Sequence, residues 1–111
     1  MGMTPEDRVK KETKTLIERI CKQRGLEYEI DWHAGSAFEQ TLDATGVIAG
    51  HPFISELKRF DQDAKLTGRQ KLKVAAFRRA GAFVHVITEP QCLVYLAHWL
   101  ETLTPRHPHE P

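Results

Sequence analysis

Residues 26–33 alternate without a break, with Leu26, Tyr28, Ile30 and Trp32 set against Glu27, Glu29, Asp31 and His33. Successive strand residues point to opposite faces, so this run predicts a strand with one apolar and one polar face. Such a strand must pair within a sheet and be covered on its apolar side. Tyr28 and Trp32 are therefore expected in the core. A second pair of strands follows, Thr45 to Ala49 and Phe53 to Lys58, joined at Gly50-His51, where a Gly-X pair suits a tight hairpin. The intervening residues 34–41, which open on Ala34-Gly35-Ser36, read as a loop.

Helices flank these strands. Thr4-Pro5-Glu6-Asp7 has a capping residue, a proline suited to the first helical position and two acids at the positive end of the dipole. Val9, Leu16, Ile17, Ile20 and Cys21 then share one face, and Gly25 stops the helix, which predicts residues 4–24. Thr67 with Gln70 forms a capping-box pattern ahead of a second helix. Leu72, Val74, Ala75, Ala76 and Phe77 supply its apolar side, and Gly81 ends it. Residues 82–88 (AFVHVIT) read as a buried strand in which His85 is a satisfied core group. Pro90 opens a last helix carrying Leu93, Val94, Leu96, Ala97, Trp99, Leu100 and Leu103, a stripe that serves as core, dimer seam or both. The order is α-β-β-β-α-β-α, an α/β fold with a mixed central sheet.

A chain of 111 residues fits one domain over residues 1–103, with the Pro- and His-rich residues 104–111 expected to fray. Hydrophobic residues make up 41% and the net charge is +1, which excludes the disordered class. No stretch approaches the roughly 20 apolar residues of a membrane span. No apolar signal block is present near the N-terminus. Cys21 and Cys92 lack CxxC spacing, and a reduced, cytoplasmic protein is expected. No two His or Cys have zinc spacing, so no zinc site is assigned.

The hairpin brings chemistry together. With Gly50 and His51 at the turn, Asp43 falls opposite Lys58 and Thr45 opposite Glu56. Asp43, Glu56 and Lys58 then share one face, the two acids being diagonal neighbours at about 7–8 Å. Two carboxylates so placed can share a divalent cation such as Mg²⁺ (or Mn²⁺), which prefers oxygen ligands. A lysine ammonium beside them suits developing phosphate charge. Solvated acid–lysine decoration is the plainer reading of such a pair, but Ile54 shares that face and makes it half apolar. His33 ends its strand near this cluster and either contacts phosphate or is a plain loop residue. Residues 58–79 are rich in base (Lys58, Arg59, Lys65, Arg69, Lys71, Lys73, Arg78, Arg79), whereas 27–43 is acidic. Lysine and arginine on phosphates supply most sequence-independent nucleic-acid affinity, although a solvated helix face has the same composition.

The run from Asp43 to Lys58 resembles the core of PD-(D/E)XK nucleases. Across residues 4–103 the chain looks like the virus-type replication-repair (VRR-NUC) nucleases, which join a glutamate on the first helix, an aspartate, an E-x-K after a short hairpin and a helix opening with Gln. Here these are Glu6, Asp43, Glu56-Leu57-Lys58 and Gln70. The resemblance implies a restriction-endonuclease-like core. It also implies an Mg²⁺- or Mn²⁺-dependent endonuclease acting on DNA, selective for branched structures such as Holliday junctions and working as a homodimer. Asp43, Glu56 and the Leu57 carbonyl would hold the metal. Lys58 would orient water or stabilise the pentavalent phosphate, Gln70 would sit at the site edge, and Glu6 would add an acid. Arg59, Lys65, Arg69, Lys71 and Arg78 are the candidate DNA contacts. One departure is Leu42, where the family usually has proline. A DNA-binding or assembly module keeping the fold, and a hydrolase of small phosphorylated substrates, are the alternatives.

Overall fold

The computed structural model describes residues 5–33, 42–58 and 66–106, with side chains from Asp7 onward. The elements are α1 (Pro5–Arg24), β1 (Tyr28–Trp32), β2 (Ala44–Ile48), β3 (His51–Leu57), α2 (Gly68–Arg79), β4 (Phe83–Ile87) and α3 (Pro90–Thr102), in the order expected. Thr4, the predicted cap of α1, and the loop 34–41 lie outside the described residues. The sheet runs β1-β2-β3-β4. β1, β2 and β3 are antiparallel neighbours, and β4 lies parallel to β3. Parallel pairing needs a crossover, which α2 supplies.

α1 and α3 cover one face. Val9, Ile17, Ile20 and Cys21 of α1 meet Leu96 and Leu100 of α3, Leu103 and the strand residues Ile48, Phe53, Leu57 and Ile87. Thr13 is fully buried in that face because its hydroxyl donates to Val9 O at 2.7 Å. Arg24 closes the far end by donating to the carbonyls of Leu100 and Leu103 at 2.7 and 2.9 Å. Trp99 stacks on Phe83 at 4.2 Å, so it is a core residue. On the opposite face Val74 of α2 packs with Leu42, Ile54 and Val84.

Several expectations are corrected. The hairpin turn is Ala49-Gly50, not Gly50-His51, and Ala44 pairs with Ser55, Ile48 with His51. Both turn residues have positive φ, 50° and 85°, as a two-residue turn of the primed type requires. The closing pair of such a hairpin exchanges hydrogen bonds and the next does not. Pro52, opposite Val47, thus needs no N–H toward β2, and β4 first pairs at Phe53. Leu72 and Ala76 face solvent rather than the core, leaving Val74 as the buried residue of α2, and Val94 of α3 is likewise exposed. Tyr28 is exposed at the outer edge of β1. His85 is buried but only in part satisfied: its ring has a backbone hydrogen bond with Cys92, while its Nε2 and the Oγ of its register partner Ser55 have no hydrogen-bond partner. Of the tail, residues 104–106 are described and contact the hairpin: Arg106 N–H donates to Ala49 O at 2.8 Å and the His51 ring bonds Thr104 O at 2.6 Å, while 107–111 lie outside the described residues.

Candidate active site

The site stands on the α2 face of the sheet, where β2 and β3 run past the end of their ladder. The last ladder pair is Ala44 with Ser55, so Asp43 stands one step further on, directly opposite Glu56. The shift from the expected register is two residues, which preserves every face and changes only the distance. Asp43 and Glu56 occupy a non-hydrogen-bonded position, where Cα atoms approach to about 4.5 Å and side chains are nearest. The carboxylates therefore face each other rather than meeting across a diagonal.

Asp43 is fixed from both sides. Its backbone carbonyl accepts from His33 N–H at 2.8 Å. Its Oδ2 accepts from Leu57 N–H at 2.7 Å. Leu57 is the residue whose N–H points toward β2 after β2 has left the ladder, and the Asp43 carboxylate replaces the missing carbonyl. Leu42 sets this position by burying its own side chain against Ile54, Val74 and Val84. That anchor is what stands where the family pattern has proline, and its apolar character was the available sequence signal.

Glu56 is 4% exposed. Its Oε1 accepts from Gln70 Nε2 at 3.0 Å and lies 3.7 Å from Lys58 Nζ. Its Oε2 is buried without a partner. Burial, and then the charge and proximity of Asp43, push the Glu56 carboxyl up to about 8, with Lys58 partly opposing the rise. At neutral pH the carboxyl is thus held mainly protonated until positive charge arrives.

Gln70 joins the site to α2. Its Oε1 accepts from Lys58 Nζ at 3.0 Å and from Thr67 N–H at 2.9 Å, while Thr67 Oγ1 accepts Gln70 N–H at 3.1 Å. The capping box and the site-edge role are one arrangement. The amide orientation is dictated by its neighbours: turned over, its NH₂ would face an ammonium and an N–H, all donors.

Of the remaining expected residues, Glu6 lies in α1 with its side chain outside the described residues, as do Arg59 and Lys65 entirely. Arg69 and Lys71 are exposed on α2. Arg78, also exposed, donates to Val84 O at 3.2 Å and so is tied to the edge of the sheet. Among the described residues no group of three or more His, Cys, Asp and Glu side chains converges as a metal cage. No helix of the described residues is long and apolar enough to cross a membrane. Both cysteines are free thiols.

The described residues form a four-stranded mixed sheet with two acids and a lysine at the exit of a hairpin, and a crossover helix that carries Gln70 in its first turn. No protein-family model matches the sequence, and no curated protein matches it. A solved structure described as a "VRR_NUC domain" is similar, with a TM-score of 0.67 over 86% of this chain and 97% of that one, at 23% identity. The chain therefore has the fold of a VRR-NUC domain, as the sequence reading expected.

Proposed function

We propose that the protein is a metal-dependent nuclease that hydrolyses backbone phosphodiesters of DNA. The observation that carries this reading is the orphaned Glu56 Oε2. A buried carboxylate oxygen facing a second carboxylate costs stability unless a proton shared with Asp43 or a bound cation joins the two acids, and a cation would displace that proton. The donor set fits Mg²⁺ or Mn²⁺, being all oxygen: Asp43, Glu56 and the carbonyl of Leu57. Mg²⁺ typically takes one or two carboxylates and keeps waters, so a three-carboxylate cage is not required. When bound, the ion would supply an activated water and positive charge at the phosphate.

The chain's own groups do the rest. Lys58 has three N–H donors. One reaches Gln70 Oε1, and a second lies toward Glu56 Oε1. The third is left for water or a phosphate oxygen, where it stabilises developing charge. Gln70 keeps the ammonium from collapsing onto Glu56 by holding both at 3.0 Å. The exposed bases of α2, Arg69 and Lys71, and the sequence-adjacent Arg59 and Lys65, favour a polyanionic substrate. Selectivity for branched DNA and action as a homodimer extend this reading, since paired cuts require two sites.

The test is cleavage of duplex, single-strand, flap and four-way DNA with Mg²⁺ or Mn²⁺, beside the Glu56→Ala protein. Metal-dependent products from wild type and none from the variant, with binding in Ca²⁺ retained, are expected. Cleavage unchanged by the substitution rules out this site. Binding without cleavage by wild type leaves a non-catalytic DNA-binding module.

A further inference from the structure

Among the described residues the α2 face of the sheet is only half covered. Helix α2 packs over Ile54 and Val84 on the β3–β4 half. On the β1–β2 half, Val47, Glu29 and Asp31 are exposed. The acid pair lies at the boundary. A polymeric substrate reaching Asp43 and Glu56 must therefore lie partly on the open half.

The first groups it meets there are His33 and Thr45. His33 N–H bonds Asp43 O, which makes the two residues cross-strand partners and puts the His33 side chain on the site face. His33 Nε2 lies 2.9 Å from Thr45 Oγ1. In either tautomer this pair has one donor to spare. If Nε2 accepts the threonine hydroxyl, Nδ1–H is free; if Nε2–H donates, the hydroxyl hydrogen is free. β1 is two strand spacings from β3, roughly 10 Å, which places this donor away from Lys58 and nearer a neighbouring phosphate than the one being cut. Beyond it on the same face of β1 stand Asp31, opposite Thr45, and Glu29, opposite Val47. Those carboxylates repel a phosphate chain, so the strand has to turn off at His33.

We propose that His33, braced by Thr45, forms a binding site for a backbone phosphate adjacent to the scissile one. The proposal rests on the nuclease reading above. The experiment uses the full chain and a DNA oligonucleotide that wild type cuts, with a single neutral methylphosphonate walked through each position flanking the cut. Wild type is expected to lose about tenfold in kcat/KM at one flanking position, the scale of one hydrogen bond to a charged group. His33→Ala should lose about tenfold on the unmodified DNA and show no further loss at that one position, while remaining as sensitive as wild type elsewhere. His33→Gln, which keeps a donor, should recover part of the rate. Should His33→Ala fail to fold, Thr45→Val is read instead, with a smaller loss at the same position. Wild-type rates from His33→Ala, or undiminished sensitivity at every position, overturn the subsite and leave the nuclease reading intact. If wild type cuts no DNA with either metal, both fall.

Discussion

Asp43 and Glu56 stand face to face across the open end of the β2–β3 hairpin, and only one of the four carboxylate oxygens, Asp43 Oδ2, is committed to the backbone. Two acids so close, one of them buried, repel each other when both are charged. Replacing Glu56 by Gln removes the charge and keeps the shape. The variant should abolish cleavage yet melt several degrees higher than wild type at pH 8.

That gain should depend on pH in a defined direction. The Glu56 pKa is raised in the folded protein, from 4.5 to about 8. Its protonated form therefore contributes stability that is complete below about pH 4.5 and is lost as pH rises through 8. The melting temperatures of wild type and Glu56→Gln should converge near pH 5 and separate toward pH 8.5. Adding Mn²⁺ at pH 8 should raise wild type alone. A constant gap across that range would contradict the upward shift of the Glu56 carboxyl.

The opposite trend belongs to His85. Burial lowers its pKa from 6.5 to about 4, a backbone hydrogen bond with Cys92 partly opposing. The neutral ring's contribution is complete above about pH 6.5 and declines as pH falls toward 4, on the order of a few kcal/mol in total. His85→Met should flatten the acid limb of the stability curve, measured by urea unfolding between pH 4 and 7, without changing the alkaline limb that Glu56 controls.

Gln70 and Thr67 separate capping from catalysis. Thr67→Ala removes the hydroxyl acceptor and should cost about 1 kcal/mol, the usual worth of an N-cap, with kcat reduced only slightly. Gln70→Ala costs a similar amount but also frees Lys58, and should lower kcat roughly 10- to 100-fold with little change in KM, as for loss of a positioned charge stabiliser. Steady-state kinetics beside thermal melts distinguish the two.

The turn offers a test of the register. Ala49 holds φ of 50°, which costs an L-residue about 1–2 kcal/mol. Ala49→Gly should therefore be stabilising, by up to about 1 kcal/mol. Gly50→Ala should be destabilising, because a Cβ there would come within 2.6 Å of Arg106 O. Were the turn at Gly50-His51, Ala49 would be an ordinary strand residue and its change to glycine would weaken the hairpin.

Much of this was legible in the sequence because strand periodicity carries parity. A hairpin slipped by two residues keeps Asp43, Glu56 and Lys58 on one face, so an incorrect turn still brought these three side chains together. The turn itself was hidden because it uses alanine where glycine or asparagine is the usual signal. Leu72 and Ala76 misled for a different reason: α2 rests on the sheet through a narrow contact around Val74, so an apolar residue there need not be interior. The double role of Gln70 was unreadable from spacing, which presented capping and site as rival explanations. Glu56 Oε2 and His85 Nε2 could not be foreseen, since a lack of partners is a property of packing.

In the nuclease proposed above, the sharing of one amide between the first turn of α2 and the ammonium of Lys58 would make competence a matter of local cooperativity. When the helix end frays, the lysine loses its anchor at the same instant, so opening and disarming are a single event. Amide hydrogen exchange at Gln70 and Lys71 should then report the fraction of molecules ready to act, and temperature should silence the protein well before it melts the sheet.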